Sequence, residues 1–201
     1  MDINLGLTIF FGLVGFAGVG ASVYYGNKSS ELEKSKVSLD FEDLSSACSD
    51  IADFLKGKSF EPDIVYTPGA KSAILAELIS QKFTHEPLVI VGCVEWKESG
   101  LSQFNIGHAE EISNNKWRLL VPELLIANSD KKILLVDDIT MSGDGLTAII
   151  SILKKHGFKN ENLQTATLVC TSVAIASKKA PDYFWKQTEG TTFYFPWGKT
   201  R

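Results

Sequence analysis

The chain has 201 residues, 44% of them hydrophobic, and a formal net charge of −4, enough to bury one full core but hardly two. The slightly acidic balance leaves no broad basic face, so nucleic acid is not expected as a partner. Its three cysteines, Cys48, Cys93 and Cys170, are odd in number and far apart, which excludes a disulfide framework and a zinc knuckle and predicts buried thiols.

The first segment stands apart from that core. Ile3 to Tyr25 carries no charge, and a helix of that length reaches roughly 30–35 Å at ~1.5 Å per residue, enough for a bilayer core. A cleaved signal peptide opens on basic residues and has a shorter apolar run, whereas this chain begins Met-Asp-Ile-Asn. Residues 1–26 are therefore predicted to be a retained, single-pass transmembrane anchor. Lys28, Lys34 and Lys36 follow the span and only Asp2 precedes it, which places the C-terminal body in the cytoplasm. Gly12, Gly15 and Gly18, with the small pairs Ala17/Ala21 and Gly18/Ser22, offer a face on which two such helices pack, or only the glycine content usual in membrane helices. A homodimer is one expectation.

Residues 27–38 read as a polar linker and 39–201 as the folded domain. Phe41, Leu44, Cys48, Ile51 and Leu55 recur every three or four residues, an amphipathic helix that Asp40 caps and Gly57 ends. The run DIVYT follows as a short strand. The turn PGAKS then leads to a helix bearing Ile74, Leu75, Leu78 and Ile79. Leu88 to Val94 (LVIVGCV) is a continuous apolar strand of the kind covered on both faces. Glu95 to Lys116 has no clear period and reads as a long loop of the functional kind. WRLLV and KILLV are further strands, Leu146, Ile149, Ile150 and Leu153 mark a helix stopping at His156-Gly157, and TATLVC is one more strand. This alternation predicts an α/β fold with a doubly wound, mainly parallel sheet, whose ligands bind beyond the carboxyl ends of the strands.

Asp137 and Asp138 fall at such an end, and Thr140 to Gly145 form a small-residue turn entering a helix. Adjacent carboxylates repel unless a cation or a set of hydroxyls faces them. A helix N-terminus favours an anion. A sugar phosphate with vicinal hydroxyls suits both halves, and an acidic loop capping the helix is the plain alternative. The sequence GAKS followed later by ILLVDD imitates a P-loop nucleotidase, but Val65 and Ala70 stand where that motif needs glycine. His85, His108 and His156 are isolated and form no metal or triad spacing.

The stretch ILLVDDITMSGDG resembles the phosphoribosyl pyrophosphate (PRPP) signature of type I phosphoribosyltransferases. APDYFWKQTEGTTFYFPWG, Ala180 to Gly198, looks like the C-terminal hood of the purine branch, particularly its xanthine-guanine and hypoxanthine enzymes, and the order of elements from Phe41 onward follows that family. The resemblance implies the type I fold with a small hood, PRPP and a nucleobase as substrates, a Mg2+ cofactor, and a part in purine nucleotide salvage. It places the ribose hydroxyls on Asp137 and Asp138, with Asp138 toward the metal. The 5-phosphate falls on Thr140, Met141, Ser142, Gly143, Asp144 and Gly145, pyrophosphate on Gly69, Ala70 and Lys71, and the purine against Trp197, whose other reading is an aromatic of the core. The sequence also departs from the family. Met141 stands where an Asp handles the base proton, Gly145 where a phosphate-binding Thr is usual, no Lys occurs around Cys170-Thr171-Ser172, and the loop TPGAKSA is about three residues short. Two functions follow: a membrane-anchored transferase moving phosphoribose to a base, purine favoured, or a tethered module that senses PRPP or a nucleotide without turnover.

Overall fold

Alternation along the strands divides the core into two layers, as the period of two requires. Val65, Leu134, Val136 and Leu168 pack into one cluster, and Ile64, Tyr66, Ile133 and Leu135 into another on the opposite face. The computed structural model describes residues 37–96, 108–189 and 193–199. The anchor expected at 1–26 and the first ten linker positions lie outside the described residues. Among those described, no helix is long and apolar enough to cross a membrane.

In chain order the elements are β1 (Val37–Ser38), α1 (Phe41–Gly57), β2 (Ile64–Thr67), a 3-10 turn (Ala70–Ser72), α2 (Ala73–Ser80), β3 (Leu88–Val91), β4 (Cys93–Trp96), β5 (Ala109–Ser113) and β6 (Trp117–Pro122). They continue with α3 (Glu123–Ile126), β7 (Ile133–Thr140), α4 (Asp144–Lys155), a 3-10 turn (Asn160–Asn162), β8 (Leu163–Thr171), α5 (Ser172–Ala176), β9 (Tyr183–Thr188), β10 (Phe193–Phe195) and β11 (Gly198–Lys199). The central sheet runs β3-β2-β7-β8-β9 with every pair parallel. Its order reverses direction between β2 and β7, and such a switch point is where an open α/β sheet binds ligands.

Helix α1 begins as its sequence dictates. Asp40 Oδ1 accepts the Glu42 and Asp43 N–H groups at 2.9 and 2.8 Å, and Asp43 Oδ2 accepts back from the Asp40 N–H, a reciprocal cap that satisfies donors the first turn leaves free. Leu44, Cys48, Ile51 and Leu55 are fully buried, whereas Phe41 is 65% exposed. The first residue of the expected apolar stripe therefore faces outward.

Four further expectations need correction. LVIVGCV is not one strand: it breaks at Gly92 into β3, an edge of the parallel sheet, and β4, which pairs antiparallel with β6. A Cβ at Gly92 would lie 2.4 Å from the Tyr66 hydroxyl, so only glycine passes this corner. WRLLV is a strand, but of the separate antiparallel sheet β4-β6-β5. The segment expected as one loop, Glu95 to Lys116, contains the end of β4 and all of β5, with residues 97–107 outside the described residues. Finally, the hood divides. Tyr183–Thr188 is the fifth parallel strand, and Phe193–Phe195 joins a small sheet ordered β1-β10-β11, so Val37 and Ser38, counted above with the linker, are built into the fold. Cys48 and Cys170 are buried as expected, while Cys93 is only partly so.

Candidate active site

Strand β7 outlives its neighbour on one side. Its register with β2 ends at Tyr66–Leu135, while that with β8 continues to Thr140–Cys170. Past Leu135 the sheet therefore opens, and the loop after β2 fills the gap. Ser72 Oγ accepts the Asp138 N–H at 3.0 Å, replacing a ladder partner, and donates to Asp137 Oδ1 at 2.8 Å. A backbone donor buried at a strand end needs such a partner.

Because successive side chains alternate, the two carboxylates find different surroundings. Asp137 meets Ser72, and its charge lies near Tyr66. Asp138, 8% exposed, accepts the indole N–H of Trp197 at 3.3 Å through Oδ2. Burial, then the neighbouring Asp138 charge, pushes the Asp137 carboxyl up to about 7. Burial also raises Asp138, opposed by the Trp197 hydrogen bond and the charge of Lys71. Neither aspartate is tied to a lysine or arginine in an ion pair among the described residues. The pair thus sits at a strand end poised for a ligand that supplies positive charge or hydroxyl donors.

Opposite the pair, Thr140 to Gly143 turn into α4. Gly143, at φ 76°, occupies the cap position and has no side chain to cap the helix, while the Ser142 hydroxyl accepts the Asp144 N–H at 3.4 Å. The N-terminus of a helix this long carries partial positive charge and unclaimed donors. The turn is pinned from behind, where the Thr171 hydroxyl donates to the Met141 carbonyl and accepts the Ala174 N–H at 3.3 Å.

A cavity of about 410 Å3 joins these parts. It is lined by Gly69, Ala70 and Lys71 of the loop after β2, by Asp137 and Asp138, and by Thr140, Met141, Ser142, Gly143 and Gly145. Ten of the twelve residues singled out in the sequence thus meet at one opening. The other two do not line it. The Asp144 carboxylate turns to Lys179 Nζ at 2.5 Å and the Ser142 hydroxyl at 3.0 Å, contacts that hold its carboxyl below the usual range. Its charge is therefore compensated and does not repel an anion at the turn. Trp197 stacks on Phe195, with centroids 5.2 Å apart and planes 5° from parallel, and reaches the site through Asp138.

Sequence reasoning missed Ser72, Trp117 and Lys179. Ser72 adjoined the recognised loop and carried a signal, being a small polar residue opposite the acidic pair. Trp117 and Leu119 form an apolar wall with Val94, Leu146 and Ile149, and nothing local foretold that β6 would come to this side. Magnesium ordinarily binds through one or two carboxylates together with substrate phosphates. Among the described residues no group of three or more acidic, His or Cys side chains is assembled, and a largely buried carboxylate pair lining the cavity fits that shared mode.

The model of the phosphoribosyl transferase domain family matches residues 39–200. Among solved structures, a purine phosphoribosyltransferase from Pyrococcus horikoshii Ot3 matches with a TM-score of 0.61 and 21% identity, over 83% of this chain and 96% of that one. A xanthine-guanine-hypoxanthine phosphoribosyltransferase from Helicobacter pylori gives 0.54 and 17%, over 81% and 93%. A hypothetical protein from Neisseria gonorrhoeae with bound ppGpp gives 0.57 and 18%, over 81% and 88%. These likenesses concern the fold. No curated protein sequence matches. With the family model spanning the parallel sheet, the acidic strand end and the turn into α4 together, the chain belongs to the phosphoribosyl transferase domain family.

Proposed function

We propose that the domain binds PRPP with Mg2+ and transfers its ribose phosphate to a nucleobase, a purine in preference. The observation that carries this reading is the meeting of the acidic pair, the α4 N-terminus and the loop at Gly69–Lys71 around one cavity. Asp137 and Asp138 accept from the ribose hydroxyls, and the amides of the turn donate to the 5-phosphate. Asp138, facing Lys71 and the pyrophosphate loop, is the residue that would hold the metal. Bound Mg2+ supplies charge neutralisation for the departing pyrophosphate.

As the bond from the anomeric carbon to pyrophosphate breaks, its electron pair leaves with pyrophosphate and a base nitrogen forms the new bond. That nitrogen's proton must then go elsewhere. The Met141 thioether lines the cavity but cannot accept it, so the proton passes to solvent or to the leaving pyrophosphate.

The same methionine favours a second reading, a tethered module that binds PRPP or a nucleotide without turnover. An assay of Mg2+-dependent pyrophosphate release with a panel of bases separates the two. Turnover with any base establishes the transferase, and saturable PRPP·Mg binding without turnover establishes the sensor. Failure of PRPP to bind at all sinks both. Replacing both aspartates, Asp137→Asn with Asp138→Asn, is expected to abolish PRPP·Mg binding in calorimetry.

The charge-free run Ile3–Tyr25 and the lysines after it support a single-pass membrane anchor with this domain on the cytoplasmic side, and the small-residue face of that run supports pairing of two copies. Extraction of the full chain by alkaline carbonate, where detergent should be needed, tests the anchor.

A further inference from the structure

Trp197 was expected to act on the purine, yet the contacts it makes lead elsewhere. Its indole N–H donates to Asp138 Oδ2 at 3.3 Å, and one ring face is already covered by Phe195. Asp138 is almost buried, so the direction of its carboxylate is set by the few donors that reach it. The backbone N–H of Asp138 is shared between Ser72 Oγ and Asp137 Oδ1, each at 3.0 Å, and the Ile139 N–H is a backbone donor to the Asp138 carboxylate. Among the described residues the indole is the side-chain group seen donating to that carboxylate, and it sets the direction of Oδ2.

The ring is itself held from several sides. Phe195 and Phe193 are buried with centroids 5.4 Å apart, and β10 lies between β1 and β11. The Leu39 N–H adds a bond of 2.8 Å to the Tyr194 carbonyl. The chain reverses at Pro196–Trp197, and Gly198, at φ 123°, opens β11 opposite Phe195 of β10. A side chain whose support is this complete holds its partner to the tolerance that a binding constellation needs.

Resting on the reading of Asp138 as part of the ribose and metal clamp, we propose that Trp197 is a positioning residue that acts through Asp138, orienting its carboxylate for PRPP·Mg, and that the small sheet formed by β1, β10 and β11 is its mount. The strand that follows residue 36 thereby becomes part of the substrate site.

Two measurements on the full-length protein test this. The first needs no ligand. Among the indole N–H resonances of the four tryptophans, that of Trp197 is the one missing in Trp197→Phe, and it is expected to move in Asp138→Ala, which removes its acceptor. An unmoved resonance overturns the proposal. The second is PRPP·Mg affinity and the KM for each substrate. Trp197→Phe keeps an aromatic ring to stack but has no N–H. It is expected to weaken PRPP·Mg binding about tenfold, as loss of one hydrogen bond to a charged group implies, and to raise the KM for PRPP but not for the base. Unchanged PRPP affinity, or a rise confined to the base KM, overturns it. Should the wild-type protein bind no PRPP·Mg, the proposed function falls, while the resonance of Trp197 still decides whether it orients Asp138.

Discussion

The α-carbon of Gly143 presses directly on the backbone of Lys179: a Cβ added there would lie 2.3 Å from the Lys179 carbonyl oxygen. Gly143 also has φ 76°, in the left-handed region, so the turn before α4 tolerates no side chain there for two independent reasons. Gly143→Ala is expected to lower the free energy of unfolding by at least about 2 kcal/mol, from backbone strain and displacement of the Lys179 segment. Gly145→Ala is the contrast. An added methyl there meets nothing within 4 Å, and alanine in the first turn of α4 should leave stability unchanged or raise it by up to about 1 kcal/mol. Urea unfolding of both variants checks this, and similar losses in the two would refute the contact argument.

Ser72 serves both aspartates with one hydroxyl, and it is 1% exposed. Ser72→Ala leaves the Asp138 N–H dependent on Asp137 Oδ1, which already accepts it at 3.0 Å, and strips the Asp137 carboxylate of its side-chain donor. A loss of about 1–3 kcal/mol in stability is expected for a buried polar group left short of a partner. The Asp137 carboxyl should also rise further, because the Ser72 bond holds it down. Carbon-detected carboxyl titration reads the second effect separately from the first.

The acidic pair makes the unliganded protein sensitive to pH in a direction opposite to that of most carboxylates. Burial and the neighbouring Asp138 charge push the Asp137 carboxyl up to about 7 in the folded chain, from an ordinary 3.8, so between these limits the folded state holds a proton that the unfolded chain has released. Stability must then fall as pH rises. The favourable contribution is complete below about pH 4 and is lost as pH rises through about 7. Wild-type protein should therefore melt at a lower temperature at about pH 8 than at about pH 6, and Asp137→Asn should remove that part of the slope. If both proteins show the same profile over this interval, Asp137 is not the titrating group.

Where sequence and structure agree, the information was local. The helix at Phe41–Gly57 announced itself by a cap residue and a stripe of apolar positions. The acidic strand end was legible because two carboxylates after four apolar residues admit few explanations. Where they part, the cause is non-local. Gly92 looked like one more small residue in an apolar run, and only the Tyr66 hydroxyl and the Pro68 carbonyl beside it show why the corner between the two sheets leaves no room for a side chain. Trp117 became a wall of the cavity through antiparallel pairing with Trp96 across residues distant in sequence. Val37 and Ser38 had the polar surroundings of a linker, and their strand exists only because Phe193 and Tyr194 return to meet them.

Met141 is the position at which the resemblance to purine enzymes and the chemistry of this cavity conflict most directly. Its side chain lines the same cavity as Asp137 and Asp138, so an acid placed there has two like charges nearby. They would raise its pKa toward neutrality, where a group that gives and takes protons is most effective. Met141→Asp is therefore expected to raise kcat for transfer to 6-oxopurines by at least about tenfold, the low side of what a positioned acid or base contributes. The added charge should also raise the KM for PRPP, since it repels the ligand's phosphates, and higher Mg2+ should reverse that cost without erasing the gain in kcat. Steady-state kinetics with each purine over a magnesium series measures both. An unaltered kcat with every base, in a variant that still binds PRPP·Mg, would mean that proton transfer to a side chain at this position does not limit the reaction and that Met141 is a neutral choice rather than a lost function.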